Sequence, residues 1–197
     1  MSSGEPLIGD GDGQTPLDED EADALIPSWI STRGDLNRAE LENIAVATAW
    51  TRQRSISSSE VLAEMFLKRL HRRMFDRVWK WAGSYRGTAK NLGVDASYVG
   101  QSVAQLLGDG RYWIEHETFP PDEIAVRFHH QLVAIHPFTN GNGRHARLAA
   151  DLLAESLGCQ RFSWGASEPT EARVRYLAAL RAADAGDIEE LVAFSRS

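Results

Sequence analysis

The twelve residues His136-Pro137-Phe138-Thr139-Asn140-Gly141-Asn142-Gly143-Arg144-His145-Ala146-Arg147 constrain the fold more than any other stretch of the chain. Ile124, Phe128, Leu132 and Ile135 recur at helical spacing ahead of them, after a Pro120-Pro121-Asp122 start. Pro137 ends that helix, because the residue before a proline is pushed out of the helical region. A second periodic run, Arg144 to Leu157 with Leu148, Leu152 and Leu153 inward, closes at Gly158. The segment is therefore a helix–loop–helix whose loop carries two glycines.

The chemistry of that loop follows from its residue types. Gly141 and Gly143 permit positive φ and close backbone approach. Free N–H groups of the loop join those of the next helix N-terminus, and the helix dipole favours an anion there. Arg144 and Arg147 are three apart, on one helix face, and both can fork onto phosphate oxygens. His136, before the loop, has a side chain suited to accept a proton near neutral pH. A phosphate cradle beside a general base outlines a phosphoryl- or nucleotidyl-transfer site.

Composition sets the frame. The chain has 197 residues, 43% hydrophobic and 25% charged, which fits one globular domain with room for an accessory segment. Its formal charge is −7 (21 Lys and Arg against 28 Asp and Glu), which speaks against sequence-independent nucleic-acid binding. The single cysteine, Cys159, excludes an internal disulfide and favours a reducing, cytoplasmic location. No apolar run reaches the roughly 20 residues that cross a bilayer, and the acidic start does not read as a signal peptide. No histidine spacing matches a zinc signature.

Further helices are expected over Leu36–Arg54, with Leu41, Ile44, Ala45 and Ala49 on one buried stripe, and over Ser57–Arg73. The second opens at a Ser57/Glu60 capping box and turns Val61, Leu62, Met65, Phe66 and Leu70 inward. A helix from Ser97 or Gln101 is expected to break at Gly108-Asp109-Gly110. Thr170 would cap a helix to about Ala183, and Asp187 with Glu190 a last short one. Lys90 to Tyr98 reads as a short hairpin or extended flap. The expected organisation is a flexible acidic tail (1–18), an N-terminal helical extension (19–56) and a main domain (57–197), all-α apart from that flap.

The motif resembles the signature of the Fic (Fido) family, His-Pro-Phe-x-Asp/Glu-Gly-Asn-Gly-Arg-x-x-Arg, departing at one fixed position. Trp81-Ala82-Gly83-Ser84-Tyr85-Arg86 resembles the family's segment before its β-hairpin flap. Thr15-Pro16-Leu17-Asp18, Leu25-Ile26-Pro27, Thr32-Arg33-Gly34-Asp35-Leu36-Asn37 and Ala182-Ala183-Asp184-Ala185-Gly186-Asp187 look like the subgroup called mobile mystery protein B. The resemblance implies a Fic helical bundle with a small β-hairpin flap. It also implies an adenylyltransferase that moves AMP from ATP, with Mg²⁺, to a Ser, Thr or Tyr hydroxyl of a target protein. His136 would then be the base, Pro137 and Phe138 would fix the loop, and Gly141, Asn142, Gly143, Arg144 and Arg147 would hold phosphates. The flap, with Lys90, Asn91, Leu92, Gly93, Val94 and Tyr98, would align the target by main-chain pairing.

Asn140 stands where the family has Asp or Glu, and an amide oxygen binds a hard cation without bringing charge. A weaker enzyme, a nucleotide- or partner-binding module, and transfer of another phosphate group stay open on that account. Gly143, where the Doc-like kinase branch has Lys, favours nucleotidyl transfer. The family's inhibitory Ser/Thr-x-x-x-Glu-Gly/Asn is absent in strict form. Glu40 or Glu42 in a variant helix, a separate helix-turn-helix antitoxin-like partner of the kind implied by the subgroup, or no regulation are the alternatives.

Overall fold

The structure is a computed structural model that describes residues 23–90, 92–166 and 171–197. Its helices are α1 (Arg33–Arg52), α2 (Ser58–Val61), α3 (Glu64–Phe75), α4 (Val99–Glu115), α5 (Pro121–Ile135), α6 (Asn142–Ser156), α7 (Ala172–Asp184) and α8 (Glu189–Arg196). A 3₁₀ turn, Ala96–Tyr98, leads into α4. The expected tail 1–18, Asn91 and the Thr170 cap lie outside the described residues.

Local chemistry sets most boundaries. Thr32 caps α1 by accepting from the Asp35 N–H at 3.1 Å, and the Asp35 carboxylate accepts from the Thr32 N–H at 3.0 Å. That is a reciprocal capping box, and it was not anticipated from the sequence. Pro121 occupies the first turn of α5, where its missing N–H costs nothing. Gly158 has φ +85 just past α6, as a helix stop requires.

α5 and α6 pack as an antiparallel pair at the centre, with α3, α4 and the α7–α8 pair around them and α1 against α3. Leu70, Met74, Phe75, Phe128, Leu132, Leu153 and Leu191 are fully buried in one continuous core. Among the described residues, no helix is long and apolar enough to cross a membrane.

Four expectations are corrected. First, Ser57 caps only the short α2, and Leu62 and Ala63 leave the helix before α3 begins. Met65 is 75% exposed, because the interruption rotates α3 relative to the pattern of one unbroken helix. Second, α4 runs straight through Gly108-Asp109-Gly110. Gly110 is a close-approach site, since a Cβ there would lie 2.9 Å from the Leu62 side chain. Third, the stripe on α1 is turned over. Leu41 is 62% exposed, and α1 buries Leu36, Ala39, Glu40, Asn43, Ala47 and Thr51 instead.

Fourth, no strand and no hairpin occurs among the described residues. Tyr85 makes a single antiparallel bridge to Phe138, and the chain beyond it bends across the front of the motif loop. The reason is the choice of partner. The Arg86 N–H donates to the Pro137 carbonyl at 3.0 Å and the Val94 N–H to the Ile135 carbonyl at 3.3 Å. This strap, residues 85–90 and 92–98, therefore pairs with the motif segment rather than with itself.

Asn43 explains why a polar face of α1 is buried. Its Nδ2 donates to the Arg73 carbonyl at 2.9 Å, and its Oδ1 accepts the Arg77 N–H at 2.9 Å. Both groups belong to the end of α3, where the helix leaves backbone groups without partners. Asn43→Ala strands both, so we expect a loss of about 2 kcal/mol in urea unfolding. An unchanged midpoint would show that solvent replaces the amide.

Candidate active site

His136 ends α5 in the left-handed conformation, φ +54 and ψ +59. Such a backbone is unusual for a non-glycine residue and must be held by its surroundings. Arg86 holds it. This nearly fully buried guanidinium donates through Nε to the His136 carbonyl at 2.7 Å, through Nη1 to Thr88 at 3.1 Å, and through Nη2 to Val94 and, at 3.5 Å, Ile135. Gly93, at φ +96, lets the strap touch His136, because a Cβ there would be 2.5 Å from the His136 Cβ.

The His136 ring bonds the Val133 carbonyl, and its Nε2 is buried with no partner. A carbonyl only accepts, so the ring proton sits on Nδ1 and the lone pair on Nε2. Burial, helped by the charges of Arg86 and Lys90, lowers its pKa to about 4. The imidazole is thus neutral at physiological pH, with one nitrogen held free to accept a proton.

The loop behind it is braced from inside. The His71 Nδ1 accepts the Gly83 N–H at 3.0 Å, which leaves its Nε2–H to donate to the Asn140 carbonyl at 3.0 Å. Its ring stacks on Phe138 with centroids 3.7 Å apart. His145 donates from Nε2 to the Leu67 carbonyl at 3.0 Å and meets Phe138 edge-on. Gly141 has φ +76, and a Cβ there would be 2.4 Å from the Phe75 ring. Phe138 and Pro137 are both buried.

One expected phosphate ligand, Asn142, and the expected metal ligand, Asn140, have their side chains engaged within the loop. The Asn142 side chain closes a two-bond ring with Phe138, donating to its carbonyl and accepting its N–H, each at 2.8 Å. The Asn140 Oδ1 accepts the Gly141 N–H at 2.6 Å. What remains for an anion is the backbone of the α6 start. The first intrahelical bond runs from the His145 N–H to the Gly141 carbonyl at 2.9 Å. The N–H groups of Asn142, Gly143 and Arg144 precede it and have no intrahelical acceptor.

The two arginines diverge. Arg144 Nη1 donates to Glu40 Oε2 at 2.8 Å, and the other Glu40 oxygen accepts the Trp79 indole N–H at 2.7 Å. Glu40 is only 3% exposed, whereas Glu42 faces solvent on α1. Arg147 lies over the Tyr176 ring, 5.4 Å from its centroid, and Tyr176 shares a hydrogen bond with His129 Nε2 at 3.1 Å. Among the strap residues, Leu92 and Tyr98 are exposed, and Gly93 and Val94 contact the His136 segment.

Among the described residues, no group of three His, Cys, Asp or Glu could hold a metal ion. Asn140 offers one amide oxygen that already accepts a hydrogen bond.

Sequence reasoning missed Arg86 as the clamp on His136, His71 as the brace of the loop, and the Tyr176–Arg147 contact. Arg86 was visible only as part of a motif. His71 and Tyr176 are brought to the loop by tertiary packing and carried no local signal.

The site lies in a helical domain in which the histidine and the glycine loop join two central helices. Residues 61–154, just under half of the chain, match the model of the Fic/DOC family. The chain is 34% identical over 116 residues to the protein adenylyltransferase fic-1 of Caenorhabditis briggsae, covering 57% of this chain and 22% of that protein. The solved structure of Fic-1 from C. elegans superposes with a TM-score of 0.69 at 26% identity, over 89% of this chain and 51% of that one. BepC from Bartonella tribocorum, solved with bound AMPPNP, superposes at 0.68 and 14% identity, over 91% of this chain and 97% of its own, which shows the shared fold. The chain spans about a fifth to a third of the length of the curated relatives it matches.

Burial gives the site a pH signature. It lowers His136 and His145 to about 4, His129 to about 3, and His71 well below the usual range. Between about pH 6.5 and pH 4, unfolded histidines bind protons that these native rings refuse. Their contribution to stability is therefore complete above about pH 6.5 and lost as pH falls toward 4. Histidine ¹⁵N spectra at pH 5.5 should show these four rings neutral, with Nδ1–H on His136 and Nε2–H on His71 and His145. A protonated His136 at that pH would contradict the geometry.

Proposed function

We propose that this chain is a protein adenylyltransferase that moves AMP from ATP to a hydroxyl side chain of a target protein. The observation that carries the reading is the unpartnered, buried Nε2 of a neutral His136, set directly before a backbone anion cradle. The names of the curated relatives support it, as do the adenine nucleotides bound in structures of the same fold.

In this reading, the target lies along the strap with its hydroxyl at Nε2. The triphosphate rests on the N–H groups at the start of α6, and its negative charge raises the His136 pKa from about 4 as it arrives. Nε2 takes the hydroxyl proton while the oxygen attacks the α-phosphorus. The bond from that phosphorus to the β-bridging oxygen breaks, and pyrophosphate leaves. Magnesium would enter with the nucleotide. Arg147 and, once freed, Arg144 would carry phosphate charge.

A second reading, a Fic fold that binds nucleotide or a partner with little turnover, rests on the Glu40–Arg144 ion pair and the engaged Asn140. Glu40, rather than Glu42, is the residue of α1 positioned to restrain the site. A helix-turn-helix partner is a further element of the proposal, tested by co-purification.

The chain, incubated with a cell lysate, Mg²⁺ and ATP labelled at either the α- or γ-phosphate, should label protein only from the α position. His136→Ala should abolish the label. Glu40→Gln leaves Arg144 free and should tighten nucleotide binding about tenfold, the effect of about 1.4 kcal/mol. Label from the γ position would replace nucleotidyl transfer by kinase chemistry. No label from any form, including Glu40→Gln and Asn140→Asp, would favour the binding module.

A further inference from the structure

A groove of about 240 Å³ lies beside the strap, between α4 and α5. Val94, Leu106 and Ile135 give it apolar walls, Gln105 and Gln131 line it with amides, and Asp109 supplies its one charge. No lysine or arginine lines it. Leu106 and Asp109 are three apart on α4, so the apolar wall leads directly to the carboxylate.

Its position matters as much as its chemistry. Ile135 immediately precedes His136, and its carbonyl accepts the Val94 N–H at 3.3 Å. One edge of the groove is therefore the same strap that holds His136. A polypeptide lying on the strap with a hydroxyl at His136 carries a neighbouring side chain past the groove, given about 3.3 Å of rise per extended residue.

The lining selects among side chains. An acidic one meets the Asp109 charge. A purely apolar one covers Asp109 and strips its water without returning a partner. A lysine or arginine satisfies both parts, laying its methylene stem on Val94, Leu106 and Ile135 and its cationic head on the carboxylate. A metal ion is a poor alternative, since a lone carboxylate is too few ligands for one. We propose that this groove binds a lysine or arginine of the acceptor polypeptide, within a few residues of the modified hydroxyl. The proposal rests on the transferase reading for its biological meaning, but the binding itself can be measured without turnover.

A displayed library of random peptides, each holding one fixed tyrosine, is selected on His136→Ala protein and on the same protein carrying Asp109→Asn or Asp109→Lys. Affinity for a non-hydrolysable ATP analogue, equal in all three, verifies that each is folded. We expect lysine or arginine to be enriched at one offset from the tyrosine, lost with Asp109→Asn, and replaced by aspartate or glutamate with Asp109→Lys. No enrichment, or one indifferent to residue 109, overturns the proposal. With catalytically intact protein, Asp109→Asn should raise KM for a selected peptide about tenfold and leave kcat unchanged, and an unchanged KM would also overturn it. Should no form transfer AMP while the charge-dependent selection persists, the transferase reading falls and the groove stands.

Discussion

Everything at the candidate site depends on one buried cation. Arg86 satisfies its donors with main-chain carbonyls of Thr88, Val94, Ile135 and His136. Carbonyl dipoles solvate a charge without cancelling it as a directly bound carboxylate would. The positive field thus reaches the His136 ring and adds to burial in keeping it neutral. The same four contacts tie the strap to the end of α5 and stabilise a left-handed residue that has no intrinsic reason to be there. Backbone geometry, protonation state and strap position are three effects of one guanidinium.

The loop is equally over-determined from below. Phe138 is gripped by the Asn142 amide ring, stacked on His71 and edged by His145. The Asn140 and Asn142 side chains build the loop's shape, and the N–H groups at the start of α6 are left without intrahelical acceptors. This division suits an anion, because preorganised backbone donors need no reordering when the charge arrives.

The sequence shows the central helix–loop–helix well, because proline and glycine act locally and the apolar spacing of α5 and α6 matches their burial. It shows α1 poorly. Leu41, Ala45 and Ala49 form the more apolar stripe, yet the buried face carries Glu40 and Asn43. Those two are buried because Trp79, Arg144, Arg73 and Arg77 bring them hydrogen-bond partners from distant parts of the chain. A pattern of hydrophobicity cannot see partners. The strap fails for a related reason. Its partner is the motif segment, and it bends and enters a 3₁₀ turn, so no hairpin closes among the described residues. His136 reads as a candidate base from its place in the motif, whereas its tautomer and depressed pKa come from Val133, Arg86 and burial.

Glu40 has a consequence beyond its two hydrogen bonds. It is a counter-ion tethered to the same chain, so its concentration at Arg144 is fixed and cannot be diluted away. Any free anion seeking Arg144 competes with it at a disadvantage set by geometry rather than by expression level. The Trp79 indole holds the second oxygen of that carboxylate, and the backbone around Trp79 bridges to Leu25. Arg144, Glu40, Trp79 and Leu25 thus form one run of contacts, which joins the motif near residue 140 to chain more than a hundred positions away.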